Sequence, residues 1–440
     1  MSDWSRSSVG DFFDLEGGFA FKSADFAPKG IPIIKIKNVK AGYFSEHDFS
    51  YVSPSFLSKR VDKIARWDDL LISMSGNRHD GSPETWVGKV ALFRKTSDFL
   101  INQRVGALRL KPGAEFDVRF ASYLLSSFPY QELFISIATS SGGQANLSPA
   151  QILKAPLQYP DISVQQAIGE ILGALDDKID LNRRMNETLE QTARALFKDW
   201  FVDFGPTKAK MAGQAAYLEG NLWELFPERL DEAGVPEGWS IGTVADIGSV
   251  VCGKTPSTKV PEYYGDDMPF ITIPDMHGKT FAVTTGKRLS VAGAASQAKK
   301  TLPLGSICVS CIATPGLVVL VTEPSQTNQQ INSIIPSNEN ETYFWFWSLG
   351  GLGELIKQGG SGGSVLSNLS TGRFSALHML TPPREMRGVY HKRVDSLFSR
   401  MLANEHESRT LAQTRDLLLP KLMSGELHVR DSEMLIQEVV

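Results

Sequence analysis

The chain has 440 residues, of which 42% are hydrophobic and 21% charged, and a formal net charge of −4. That length predicts two or three domains with real cores, and no apolar run is long enough to span a bilayer. The weak acidity argues mildly against a nucleic-acid binder, which wants Lys and Arg for phosphate. The balance is uneven, however: residues 1–160 carry about +3 and residues 239–383 are about neutral. A binder with little charge of its own can also rely on a basic partner. The start, Met1-Ser-Asp-Trp-Ser-Arg6, lacks a secretory pattern, so a cytoplasmic protein is expected.

Residues 1–160 read as short strands and loops with a few helices, such as Phe120-Ala-Ser-Tyr-Leu-Leu125. Lys35 and Lys37 alternate with isoleucines, which predicts a strand with both lysines on one polar face. Residues 161–203 read as one long helix. Ile168, Leu172, Leu175, Ile179, Asn182, Asn186, Leu189, Ala193, Leu196 and Trp200 alternate spacings of four and three, the a/d seam of a coiled coil. Several Gly and Pro mark residues 204–236 as a linker. A second globular half, 237–383, leads into a second long helix, 384–423, and a short tail, 424–440, expected to be loosely held. The second seam is Val394, Leu397, Met401, Asn404, Ser408, Leu411, Arg415, Leu418 and Leu422.

The second half repeats the first. Trp4-Ser-x3-Val9-x-Asp11 recurs as Trp239-Ser-x3-Val244-x-Asp246, and Ile31-Pro-Ile-Ile-Lys-Ile36 as Met268-Pro-Phe-Ile-Thr-Ile273. Leu71-Ile-Ser73 recurs as Cys308-Val-Ser310, Asn102-Gln-Arg-Val105 as Asn328-Gln-Gln-Ile331, and Asn146-Leu-Ser148 as Asn368-Leu-Ser370. The pairs keep their order while the offset falls, as if loops were shorter in the second copy. The seams repeat too, including their polar interruption: Asn182 matches Asn404 and Asn186 matches Ser408. If the helices pair antiparallel they form a rod with one head at each end, with Asn186 near Asn404 and Asn182 near Ser408. Polar groups there fix register at a cost in stability. Alternatively each helix covers its own domain, which would require a wider apolar stripe.

Catalytic readings fare poorly. Gly248-Ser-Val-Val-Cys-Gly-Lys-Thr255 fits the phosphate-loop pattern letter for letter, but a working loop opens a helix. Pro261 would fall inside that helix and break it, and no carboxylate partner strand is evident. Cys308 and Cys311 form a single C-x-x-C without the second pair that a structural zinc needs. Residues three apart on a strand face opposite sides, so these two and Cys252 read as ordinary core and surface cysteines. No methyl-donor loop with an N-P-P-[YF] motif, nuclease carboxylate–lysine set or histidine cluster is found. A coiled-coil scaffold binding only protein would explain the helices but leave two large heads idle.

At this point the chain resembles the specificity subunit of type I restriction–modification systems, over nearly its whole length. The most specific segment is Glu190-Gln-Thr-Ala-Arg-Ala-Leu-Phe-Lys-Asp-Trp-Phe-Val-Asp-Phe204 with Gly205-Pro206 and Ala209-Lys-Met211. Phe226-Pro-Glu-Arg-Leu230, Val235-Pro-Glu-Gly-Trp239, Gly253-Lys-Thr-Pro-Ser257 and Leu417-Leu-Leu-Pro-Lys-Leu-Met-Ser-Gly425 add to it. The resemblance implies an α+β fold. Two similar target-recognition domains of mixed strands and short helices are separated by two long helices pairing as an antiparallel coiled coil. It implies recognition of a bipartite, asymmetric site on double-stranded DNA, with two modification (methyltransferase) subunits and restriction (motor-nuclease) subunits as partners. S-adenosylmethionine, ATP and Mg are then expected on those subunits, with no cofactor, metal or catalytic residue in this chain. The family often has a Glu-Gln pair after the prolines that open each helix. Here Val164-Gln165 and Met386-Arg387 stand instead, which puts a cap role for that pair in doubt.

Features shared by both heads read as scaffold, and features that differ as specificity. Asn102-Gln103 and Asn328-Gln329 could bond adenine as amides do, but both heads carry them, which favours a structural turn. Asn146 and Asn368 follow the same logic. The loop Gly76-Asn-Arg-His-Asp-Gly81 lies in a stretch longer than its counterpart. Arg78 there suits guanine and Asn77 adenine, with His79 beside them; a solvated loop is the alternative. In the second head Lys254, Thr255, Ser257, Thr258, Lys259, Tyr263 and Tyr264 form a polar, aromatic loop suited to phosphate and base-edge contact. Lys35 and Lys37 face Thr272 and Pro274 in the repeat. The Gly-rich loops Ser140-Ser-Gly-Gly-Gln144 and Gly359-Gly-Ser-Gly-Gly363 allow close backbone approach or serve as connectors.

Overall fold

The structure is a computed structural model that describes residues 4–141, 143–359 and 369–427. The chain forms two compact units, one of Met1–Asp180 with Arg409–Val440 and one of Leu181–Ser408.

In the first unit, four antiparallel strands stand in the order Phe13–Gly17, Val105–Leu110, Asp69–Ser73, Val90–Phe93. The strand Asp69–Ser73 is buried on both faces, which its apolar run Leu70-Leu-Ile72 allows. Because alternate side chains face opposite ways, Leu70 and Ile72 enter one core with Phe13, Leu108 and Phe120. Leu71 enters another with Ile34, Phe93 and Ile101. Each such side chain, fully buried, contributes about 1.5–3 kcal/mol. The helix Val118–Ser126 is capped by Asp117, whose carboxylate accepts from Phe120 N at 2.7 Å. The strand Ser5–Ser8 pairs with Pro156–Tyr159, just before the first long helix.

The second unit repeats this plan. Its sheet runs Gly248–Cys252, Ile331–Pro336, Ile307–Ser310, Val318–Leu320, the same order of corresponding strands. Ile307 and Val309 face one core, while Cys308 faces the other with Ile271 and Val319. Cys308 and Cys311 do point into opposite cores, but both are buried, so neither is a surface cysteine. Burial pushes the Cys308 thiol up to about 12. The repeated Asp11 and Asp246 each accept from the backbone N–H three residues earlier, of Ser8 and Thr243, both at 2.7 Å.

The long helices are Ile162–Phe201 and Arg384–Ser424. Within the first unit Ile168, Leu172 and Leu175 share a core with Leu411, Leu418 and Leu422. Within the second, Ala193 and Trp200 share one with Val394 and Met401. There the segments run antiparallel, since Asn186 meets Asn404 while Ala193 O accepts from Tyr390 Oη at 2.9 Å. Ile179, Leu189, Leu196 and Leu397 are partly buried beside these cores. The stripe is wider than a bare seam: Ile171, Phe197, Phe201 and Phe398 are buried too. Each long helix is therefore both coiled coil and part of a head's core.

Residues 204–236 are more than a linker. They hold the helices Gly205–Met211 and Gly220–Glu224, and Phe226 is buried against Trp200. The first long helix ends at Phe201, and Phe204, in the left-handed conformation at φ 56°, opens the next. Among the described residues, no helix is long and apolar enough to cross a membrane.

Candidate nucleic-acid interface

In each head a two-residue strand lies parallel to the inner end of a longer one: Leu100–Ile101 beside Ile31–Ile34, and Gln326–Thr327 beside Tyr264–Ile271. A tight turn follows. Val105 N donates to Asn102 O at 2.8 Å, and Ile331 N to Asn328 O at 3.2 Å. Asn328 Oδ1 also accepts from Gln330 N at 3.1 Å, which is turn chemistry in the second head. The backbone of Gly18 or Gly253 crosses this turn so closely that a Cβ would lie 2.1 Å from Asn102 O or Asn328 O. Gly253 thus serves backbone packing. Gly248–Cys252 is a strand, and no helix follows Thr255 before the short Pro261–Tyr263 turn, so the phosphate-loop pattern is coincidental.

The strand expected through Lys35 and Lys37 ends at Ile34. Lys35 instead caps a 3-10 turn, its N–H donating to Asn38 Oδ1 at 3.0 Å, because the asparagine side chain outcompetes a strand partner. Thr272 does the same in the second head with Asp275, through N–H at 2.8 Å and Oγ1 at 2.7 Å. Lys35 Nζ donates to Ser50 Oγ at 2.7 Å over the Phe26 ring, whereas Lys37 is exposed on the turn.

The longer loop of the first head is an ordered insertion. Ser75–Gly76 forms a strand beside Gln144–Asn146, which pairs in turn with Thr139–Ser141. Asn77 Nδ2 donates to Thr85 Oγ1 at 3.0 Å, and His79 Nε2 meets Glu132 Oε1 at 2.7 Å. Arg78 donates through its guanidinium to Ala138 O, and its Nε is buried without a partner. The strand beside the insertion meets the 102–105 turn at a residue the sequence reading passed over, Arg104, which donates to Gln144 Oε1 at 2.7 Å. Arg104 differs from its repeat, Gln330, and that difference was its signal. Gly142, residues 360–363 and Asn368 lie outside the described residues; Ser148 and Ser370, the shared ends of the repeated motif, both cap helices.

In the second head Lys254, Ser257, Thr258 and Lys259 are exposed, and Tyr263 and Tyr264 half-buried. Tyr264 Oη anchors the loop on Pro256 O at 3.0 Å, and Thr255 Oγ1 donates to Gln329 Oε1 at 2.6 Å. The turn and this loop therefore form one surface in the second head, as the turn and the insertion do in the first. Among the described residues, no group of three or more His, Cys, Asp or Glu could hold a metal ion.

Comparison with known proteins bears on this pair of surfaces. The family model for the type I restriction modification DNA specificity domain matches residues 1–191 and 236–410. The chain belongs to that family. It is 40% identical to the type I restriction enzyme HindI specificity subunit of Haemophilus influenzae, over 97% of this chain and 100% of that one. It is 24% identical to the MjaIX specificity subunit of Methanocaldococcus jannaschii, over 71% and 70%. The fold matches the S subunit of a type I restriction-modification system from M. genitalium with a TM-score of 0.56, covering 96% of each chain at 17% identity. This is a type I specificity subunit, and its work is recognition of DNA sequence, without catalysis.

The departure from the family's helix-opening pair has a structural answer. In this specificity subunit Gln165 is buried; its Oε1 accepts from Asp117 N at 3.1 Å and its Nε2 donates to Pro160 O at 2.8 Å. At the repeated position, Arg387 donates to Pro382 O at 2.7 Å and to Glu341 Oε2 at 2.6 Å. Neither side chain accepts from its own helix; each instead ties the start of a long helix to the residue that opens a short one, by an amide in one head and an ion pair in the other.

Proposed function

We propose that this chain reads two separated half-sites on double-stranded DNA, one with each head. The observation that carries this reading is the duplicated sheet order with unlike surfaces at the same turn: an insertion and Arg104 in one head, the Lys254–Tyr264 loop in the other. Shared scaffold fixes where each surface stands, and unlike side chains select unlike sequences. Asn77, Arg78, His79, Lys35 and Lys37 in the first head, and Lys254, Thr255, Ser257, Thr258, Lys259, Tyr263, Tyr264 and Thr272 in the second, are the candidate contacts. The helix pair sets the gap between half-sites and docks two modification subunits and the restriction subunits. S-adenosylmethionine, ATP and Mg belong to those partners, and the complex works in the cytoplasm.

Selection of randomised duplexes by the full-length chain tests this. Two short sequence clusters at a fixed separation are expected. One continuous motif would overturn the two-head reading, and no motif at all would overturn sequence recognition by this chain.

A further inference from the structure

Arg78 is the guanine candidate that the sequence offers in the first head, yet its guanidinium is turned inward. It donates to the Ala138 carbonyl, and its Nε is buried. A planar donor fork spent on backbone is a poor base reader. Arg104 stands differently. It is exposed at the third position of the 102–105 turn, and its backbone is fixed, because its carbonyl accepts from Met74 N at 2.8 Å. Its guanidinium has one partner among the described residues, Gln144 Oε1 at 2.7 Å. Among the described residues, no carboxylate pairs with it.

Gln144 is itself held. It opens the strand Gln144–Asn146, which pairs on one side with Thr139–Ser141 and on the other with Ser75–Gly76 of the insertion. Asn146 Oδ1 accepts from Ser75 Oγ at 2.7 Å, which locks the two together. The second head differs at the turn itself. Gln330 replaces the arginine, is only partly exposed, and accepts from Asn328 Nδ2 at 3.1 Å within its own turn. So one head presents a preorganised cation where the other presents a self-satisfied amide. Four of the five guanidinium N–H donors remain available after the bond to Gln144, enough for the two-pronged contact with guanine O6 and N7.

We infer that Arg104, positioned by Gln144, reads one guanine in the half-site of the first head. The inference rests on the two-half-site reading above. It commits to a base contact, not a phosphate contact, because the guanidinium is oriented by a neutral partner on a rigid turn.

The test compares wild type, Arg104→Lys, Arg104→Ala and Gln144→Ala as full-length chains on randomised duplexes at one salt concentration. Thermal melting checks that each is folded. Arg104→Ala should abolish the preference for guanine at one base pair, with a loss of about tenfold to a hundredfold on the selected site, and leave the other half-site unchanged. Arg104→Lys should restore charge without the preference, since an ammonium lacks the fork. Gln144→Ala should weaken preference at that same base pair. A uniform loss over all sequences that Lys rescues would make Arg104 a phosphate contact and overturn the inference. An unchanged motif in Arg104→Ala would overturn it too. If wild type selects no motif, the proposed function itself fails, a result distinct from both.

Discussion

Asn404 Nδ2 donates to Asn186 Oδ1 at 2.8 Å, inside the seam of the two long helices. Asn182 Nδ2 reaches Ser408 Oγ at 3.3 Å one step along, so the pairing expected from the repeat is met at both positions. Asn186 also donates to Met401 O at 3.0 Å and Asn182 to Glu407 Oε2 at 2.7 Å, so the layer is well satisfied.

Removing Asn404 leaves the half-buried Asn186 Oδ1 without its donor, whereas removing both does not. Asn404→Leu should cost about 1–3 kcal/mol, and Asn186→Leu with Asn404→Leu should cost less than the single change or stabilise. Urea denaturation in a double-mutant cycle measures this. Additive losses would mean that the asparagines do not act as a pair.

The two ties at the starts of the long helices should be partly interchangeable. Glu341 is 4% exposed and is met by Arg387, by Arg384 at 3.2 Å and by Asn338 Nδ2 at 2.6 Å. Arg387→Ala should cost about 2–4 kcal/mol, because a buried carboxylate loses its best partner. Arg387→Gln with Glu341→Asp copies the residue pair of the first head and should recover at least half of that loss. Thermal melts of the three proteins decide it; no recovery would mean that the ties depend on their separate surroundings.

Gly253 should matter for packing and Lys254 should not matter for nucleotide. Gly253→Ala places a Cβ 2.1 Å from the Asn328 carbonyl and should destabilise by about 1–3 kcal/mol. Lys254→Ala should leave stability within about 0.5 kcal/mol. Millimolar Mg-ATP should shift the melting of neither wild type nor variant. A shift in wild type that Lys254→Ala removes would restore the phosphate-loop reading.

Lys89 makes the first head pH-dependent. It is 3% exposed, donates to the Glu84 carbonyl, and burial pushes its ammonium down to about 8. Lys40 adds to that shift and the Glu84 carboxylate opposes it. An unfolded lysine titrates near 10.5, so between about 8 and 10.5 the unfolded chain holds more protons and stability rises with pH. Below about pH 8 the burial cost is felt in full. Lys89→Met should therefore stabilise at pH 7 by about 1–3 kcal/mol, with the gain shrinking above pH 8. A difference constant from pH 7 to 10.5 would contradict this.

The helices should act as a ruler. One heptad added to each keeps both seams in phase and lengthens each helix by about 10.5 Å. The spacer in selected duplexes should grow by about three base pairs, with both half-site sequences unchanged. Four residues added to one helix alone should break the seam and weaken folding. An unchanged spacer in the double-heptad protein would remove the ruler from the proposal.

The sequence by itself determined the duplication, the α+β class, the two long helices and the pairing of Asn186 with Asn404. These are periodic or repeated signals, and period survives without coordinates because it follows from helix and strand geometry. It also supplied the reason to discount Gly253-Lys254, since Pro261 forbids a helix there. Only the tertiary structure decided how side chains spend their donors. Arg78 and Arg104 look alike in the sequence, both cations in turns of the first head. One guanidinium is taken up by the Ala138 carbonyl and the other by Gln144, residues far from them along the chain. Lys35 was misplaced for a nearer reason: Asn38 caps a 3-10 turn that the alternation of isoleucines hides. Burial on both faces of Asp69–Ser73 and Ile307–Ser310 likewise depends on what packs above and below. Hydrogen-bond partners and enclosure come from chain segments brought together by folding, and local period carries no record of them.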